Sequence, residues 1–216
     1  MLRIAMPHFI NWANFYREIC SRWLLDNPIR FIRYPGQLLV LNFRLGGVDR
    51  IVQIDESLVS KRKYHRGRLV REIWVFALYD VHSGIGVLRV VPNRNRATLL
   101  PIIEEFVMPG SMIHSDQWGA YMGGAIDALP VIPPYVHHSV NHTNHFVDPI
   151  NHADTNSVEC FWKNLKMKFK AMSGTSRELL PGYLDEFCWR QRNGKKTLVA
   201  YDNILSQISQ YYLVNT

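Results

Sequence analysis

Cysteine is scarce in this chain. Cys20, Cys160 and Cys188 are odd in number and far apart, and no C-x-x-C occurs, so neither a disulfide framework nor a cysteine zinc site is supported. That usage fits a reducing compartment. Long apolar runs are missing too: nothing approaches the ~20 residues of a membrane span, and the region after Met1 lacks a secretory pattern. The expectation is a soluble intracellular protein without a membrane partner, in the nucleus if eukaryotic and in the cytoplasm or nucleoid if bacterial. Acidic residues are outnumbered, 18 Asp and Glu against 25 Lys and Arg, for a net charge of +7. Such a surplus favours a polyanionic partner, because Lys and Arg gain free energy by releasing phosphate counterions. No internal repeat or low-complexity tract is visible.

What is present suffices for one full-sized domain, with 47% hydrophobic residues and six Trp among 216 residues. Ile10, Phe15, Ile19 and Trp23 recur at roughly helical spacing over 8–25, until Pro28, Pro35 and Gly36 break the pattern. Residues 1–48 read as an N-terminal helical arm, the remnant of a longer region. A strand is predicted at 51–54, then two β-rich runs at 72–79 and 85–91 around the turn His82-Ser83-Gly84. A helix over 96–107 and a strand over 112–115 follow, then a short helix over 117–127. Pro130, Pro133 and Pro134 force a loop before a strand at 136–140. Helices are expected over 156–171 and 177–192. This divides the chain into a main domain over 49–193 and a helical tail over 194–216. The order β-β-β-α-β-α-β-α predicts an α/β fold, a mixed sheet flanked by helices.

Three carboxylates stand out in that frame. Asp55 closes the apolar run Ile51-Val52-Gln53-Ile54, and Asp116 closes Met112-Ile113-His114-Ser115. Glu159 lies one turn into the amphipathic stretch Thr155-Asn156-Ser157-Val158-Glu159. Aspartates after the first and fourth strands suit a ribonuclease H-like core. Clustered hard oxygen ligands can hold two Mg²⁺ ions about 4 Å apart, which serve phosphodiester chemistry. Each acid also has an ordinary reading: the aspartates as turn formers or caps, and Glu159 as the partner of an Asn156 N-cap in a capping box. Glu159, Lys163, Lys166 and Lys170 share one helical stripe, beside an apolar stripe of Val158, Trp162, Leu165 and Phe169. The lysines suit a helix beside a DNA backbone or a merely solvated face.

Longer blocks carry a resemblance. Ile54-Asp55-Glu56-Ser57, the basic run Lys61 to Arg68, and Trp74-Val75-Phe76 resemble the first catalytic block of Merlin-type DDE transposases, which are similar to a group of bacterial insertion-sequence transposases. Asn93-Arg94-Asn95-Arg96, Ile113-His114-Ser115-Asp116-Gln117-Trp118, Val140-Asn141-His142 and Thr155 to Glu159 with Trp162 and Lys166 follow in family order. The resemblance covers roughly residues 9–192. It implies a ribonuclease H-like catalytic domain that cleaves DNA at transposon ends and joins the strands to target DNA, with Mg²⁺ as cofactor (Mn²⁺ can substitute). It implies Asp55, Asp116 and Glu159 as catalytic acids and metal ligands, with Asn156, Lys166 and His142 as accessory residues. Lys61, Arg62, Lys63, Arg66, Arg68, Lys163 and Lys170 would contact DNA, and the protein would act as a homo-oligomer.

Two departures accompany the match. Relatives usually carry a zinc ribbon or helix-turn-helix ahead of the helix that begins here near Phe9, and glycine where this chain has Ala77-Leu78-Tyr79. A domesticated, catalytically silent DNA-binding or scaffold protein is the alternative. The histidines at 137, 138, 142, 145 and 152 invite a zinc reading, but they lack a compact H-E-x-x-H spacing and no cysteine joins them. A loop ordered by histidine hydrogen bonds, or a role beside DNA or metal, are the readings that stand. Trp118 and Tyr121, one turn apart, are expected to pack rather than stack on bases.

Overall fold

The helical spacing near the N-terminus forms α1 (Met6–Asp26) in a computed structural model that describes residues 6–27, 30–34, 37–40, 44–60, 72–141 and 146–212. β1 (Arg30–Tyr34) and β2 (Gln37–Val40) then pair antiparallel, Arg30 opposite Val40. The chain divides into two units, Met1–Val40 with Thr175–Thr216, and Leu41–Gly174.

The second unit holds β3 (Leu45–Gly46), β4 (Ile51–Ser60), β5 (Ile73–Asp80), β6 (Ile85–Val91), α2 (Arg96–Phe106), β7 (Val107–Met108), β8 (Met112–Asp116), β9 (Val136–Val140) and α3 (Asn156–Ala171). Five strands make one sheet in the order β6-β5-β4-β8-β9. β4, β5 and β6 are joined antiparallel, whereas β4, β8 and β9 are joined parallel. This is the mixed sheet of a ribonuclease H-like fold. Strand residues alternate between faces. Val52, Ile54, Phe76 and Leu78 point to one face and pack with Leu99, Ile103 and Phe106 of α2. Gln53 and Tyr79 point to the other, where α3 lies: Tyr79 meets the Phe161 ring at 5.2 Å between centroids.

The helix expected over 117–127 does not form. Residues 119–128 are turns, with Gly123 and Gly124 at φ 70 and 71. That left-handed backbone is open to glycine and stops a right-handed helix. Tyr121 and Ile126 are nevertheless fully buried in the core, so their apolar spacing is met by turns.

α4 (Leu180–Asn193) and α5 (Thr197–Tyr211) complete the first unit. Its core gathers Ile19 and Cys20 of α1, Trp189 of α4, and Ala200 and Ile204 of α5. The buried Trp189 indole N–H donates to Gln207 at 2.9 Å, and Gln207 donates to Asn193 at 3.0 Å. These bonds satisfy polar groups that would be costly to bury alone. Among the described residues no helix is long and apolar enough to cross a membrane.

α3 sits close to the sheet because β6 has no side chain at Gly86. A Cβ there would stand 2.5 Å from Cζ of Phe161. Gly86→Ala should therefore cost about 1–3 kcal/mol of stability by overpacking. In a urea denaturation cycle, combining it with Phe161→Leu should recover part of that loss; strictly additive costs would show that this contact does not set the spacing.

Candidate active site

β4 and β8 pair Ile51, Val52 and Gln53 with Met112, Ile113 and His114. Carrying that offset two residues further brings Asp55 level with Asp116, on the face that carries Gln53 and His114. The ladder between the two strands stops at Gln53 and His114. Beyond it β4 pairs only with β5, Asp55 opposite Ala77, and β8 only with β9, Asp116 opposite Val140. The chain leaves β4 toward one edge of the sheet and β8 toward the other. In open α/β sheets such a parting at the carboxyl ends of parallel strands is where ligands bind. One expectation is corrected here: Asp55 is not at a strand end, because Glu56, Ser57 and Leu58 go on pairing with Phe76, Val75 and Trp74.

Glu159 reaches the same place from α3. The expected capping box is corrected as well. Thr155, not Asn156, is the N-cap, and its hydroxyl donates to Glu159 Oε1 at 3.2 Å instead of capping the backbone. Asn156 is the first helical residue and exposed, its N–H bonded to Asp154 Oδ1 at 3.0 Å. The apolar stripe of α3 is buried at Val158, Trp162, Leu165 and Phe169. The charged stripe and Asp55 together line a groove of about 450 Å³, formed by Asp55, Glu159, Trp162, Lys163, Lys166, Met167 and Lys170. Lys166 Nζ lies 5.8 Å from the Trp162 ring centre.

Electrostatics tie the acids together. Burial, then the charge of Asp116 and more weakly that of Glu159, push Asp55 up to about 7, against the opposing pull of a Glu56 N–H bond and Lys166. Glu56 is pushed up to about 8 by burial, then by Asp55 and Asp116, with Arg94 opposing. A nest of carboxylates whose repulsion outweighs its own cations suits a hard divalent cation, and an all-oxygen donor set suits Mg²⁺ or Mn²⁺ over softer metals. Among the described residues, no three His, Cys, Asp or Glu side chains already converge as a metal-holding group.

Sequence reading missed how Asp116 is held. Its Oδ1 accepts the Trp118 N–H at 3.0 Å, and the Trp118 indole donates to the Arg94 carbonyl at 2.9 Å. The Arg94 guanidinium lies between Trp74 and Trp118, 3.9 and 4.3 Å from their ring centres, and 4.0 Å from the buried carboxylate of Glu56. Arg96 donates to the carbonyls of Ala120 and Met122 at 3.1 and 2.9 Å. Arg94 just ahead of α2 and Arg96 as its first residue, flanking the cap that Asn95 makes through the Thr98 N–H, were the available signal. His114, His137 and His138 make hydrogen bonds or ring contacts: Ser115 Oγ and His137 Nε2 are 2.8 Å apart, and the His114 and His138 ring centres 5.8 Å. Burial foremost lowers the pKa of His114 and His137. His142 and His145 lie outside the described residues, as do Lys61, Arg62, Lys63, Arg66 and Arg68.

Comparison with known proteins gives the family. The ISXO2-like transposase domain matches residues 44–192. The chain belongs to that transposase family. An uncharacterized transposase-like protein of Haemophilus influenzae is 35% identical to this transposase domain over 125 residues, 58% of this chain and 94% of the relative. Among solved structures, the catalytic core domain of BIV integrase aligns with a TM-score of 0.41 and 15% identity, over 75% of this chain and 98% of its own. The HTLV-2 integrase catalytic core in complex with magnesium gives 0.41 and 15%, over 68% and 86%.

The carboxylate nest makes a stability prediction for the transposase domain. Asp55 holds its proton to about 7 in the folded chain, whereas the unfolded chain releases it near the ordinary carboxylate value. Stability is therefore lost as pH rises across that window. Asp55→Asn removes the penalty and should stabilise the protein by about 1–3 kcal/mol at about pH 8, shrinking toward zero near pH 3. Urea denaturation across pH checks this; a gain that does not vary with pH would refute it.

Proposed function

We propose that this chain is the catalytic domain of a DDE-type DNA transposase, of the Merlin-type kind its motif blocks resemble. The observation that supports the reading is that Asp55 and Glu159 line one groove with Lys163, Lys166 and Lys170, and that Asp55 feels the charge of both Asp116 and Glu159. Those three acids would hold Mg²⁺, or Mn²⁺ in its place. Bound there, the metal would activate an oxygen nucleophile and stabilise the leaving oxygen of a phosphodiester.

The chain's own residues do the rest. Asp55 and Asp116 stand at the sheet's parting, fixed by β-pairing and by the Trp118 N–H. Glu159 completes the set from α3, with Asn156 and His142 as accessory residues. Lys166 would contact the phosphate beside the reacting bond, with Lys163 and Lys170 on its flanks. The basic run Lys61, Arg62, Lys63, Arg66 and Arg68 would add phosphate contacts. Hydrolysis at a transposon end frees a 3′ hydroxyl, which then attacks a phosphodiester of target DNA in line and displaces the 3′ oxygen of that strand. Bridging two ends calls for self-association, and the work is intracellular, where DNA is.

Nicking of labelled transposon-end DNA with Mg²⁺ or Mn²⁺ tests this. Asp55→Asn, Asp116→Asn and Glu159→Gln should each lower cleavage by at least about a hundredfold, while DNA affinity stays within about threefold. Replacing Lys163, Lys166 and Lys170 by Ala together should weaken binding and flatten the salt dependence by about 2–3 units of slope. If the wild type and Asp116→Ala bind DNA alike and neither cleaves, the chain is a silent DNA-binding protein.

A further inference from the structure

Helix α3 begins in an unusual way. The N–H groups of a helix's first turn need acceptors, and the N-cap side chain is the ordinary one. Here Thr155 makes no such bond, since its hydroxyl is turned to Glu159. The N–H of Val158 is taken instead by Gln53 Oε1 at 2.9 Å, from β4 and 105 residues away. The other end of the same amide, Gln53 Nε2, donates to Asp154 Oδ1 at 2.9 Å. That Asp154 oxygen also accepts the N–H of Asn156, the first residue of α3. Asp154 N–H in turn points to His114 Nδ1 at 3.4 Å, on β8.

Gln53 is 1% exposed, so water does not replace these partners. It stands two residues before Asp55 on the same face of β4, and Val158 stands one residue before Glu159. One buried amide thus links the strand bearing the first acid to the turn of helix bearing the third. The Asp154–His114 contact ties in the strand bearing the second.

We propose that Gln53 is a positioning residue of the active site: its side-chain amide caps α3 from β4 and thereby sets where Glu159 stands relative to Asp55. The inference rests on the reading of Asp55, Asp116 and Glu159 as metal ligands. Groups that orient ligands in this way typically contribute 10–100-fold to metal affinity (about tenfold or more is expected here).

Three variants of the full chain test it, by calorimetric titration with Mn²⁺ and by amide hydrogen exchange at Val158. Gln53→Met keeps length and burial but makes neither bond. Gln53→Glu still accepts from Val158 but sets a carboxylate against Asp154. Both should fold by circular dichroism, bind Mn²⁺ about 10–100-fold more weakly, and the Met variant should exchange the Val158 amide faster. Combining Gln53→Glu with Asp154→Asn exchanges donor and acceptor and restores the bond between these two positions, while the exposed Asn156 N–H turns from that atom to water. Its Mn²⁺ affinity should return to within about threefold of wild type.

Wild-type affinity in both single variants, or no recovery in the double variant, overturns the assignment. Should Gln53→Met fail to fold, the comparison of Gln53→Glu with the double variant decides alone. A wild type that binds no Mn²⁺ removes the metal-site reading and this inference with it. Wild-type binding that is insensitive to Gln53 removes only the inference.

Discussion

The register between β4 and β8 governs this site. Three parallel pairs, Ile51–Met112 to Gln53–His114, fix the two strands, and everything chemical lies just past the last of them. A slip of one residue would turn Asp55 to the opposite face, among Leu99, Ile103 and the apolar layer of α2. The register is protected by what alternates with the polar residues: Val52, Ile54 and Ile113 are wholly buried. Burial of that layer, at roughly 1.5–3 kcal/mol per large aliphatic side chain, holds two carboxylates at a level they would otherwise leave.

Each acid is then restrained by a different kind of contact. Asp55 is held by backbone pairing to β5. Asp116 is held by the turn that Trp118, Arg94 and Arg96 keep in place. Glu159 rides on a helix fastened to the sheet by Phe161 against Gly86 and by the Gln53 amide. A scaffold of independent restraints suits a site whose charges repel, because no single contact has to oppose the whole repulsion. Lys166 of α3 pulls Asp55 down, but burial first and then the charge of Asp116 keep it well above the usual carboxylate range.

Much of the frame was readable from local pattern. The strands at 85–91 and 136–140 and the helices at 96–107 and 156–171 have clear periodicity, and they form within a residue of the expected bounds. Asp55-Glu56-Ser57 hid the second half of β4, since three polar residues interrupt the alternation that marks a strand. Tyr121 and Ile126 mimicked a helix that Gly123 and Gly124 prevent. The devices that orient the acids escaped for a common reason. Gln53 meets Asp154 across 101 residues, and Arg94 meets Glu56 and Trp118 across strands. Such partnerships arise from topology and leave no trace in spacing along the chain.

The nest of buried carboxylates has an evolutionary consequence. Most substitutions weaken a protein, yet exchanging an acid here for its amide relieves repulsion and leaves the sheet, the Arg94 stack and the α3 attachment untouched. Loss of the proposed chemistry would thus be favoured by folding, and mutational drift would run toward inert descendants with sturdier folds. Under the proposed function, selection for mobility would have to oppose that drift in every generation, and where it lapsed the surviving copies should keep the lysine-lined groove longer than the acids.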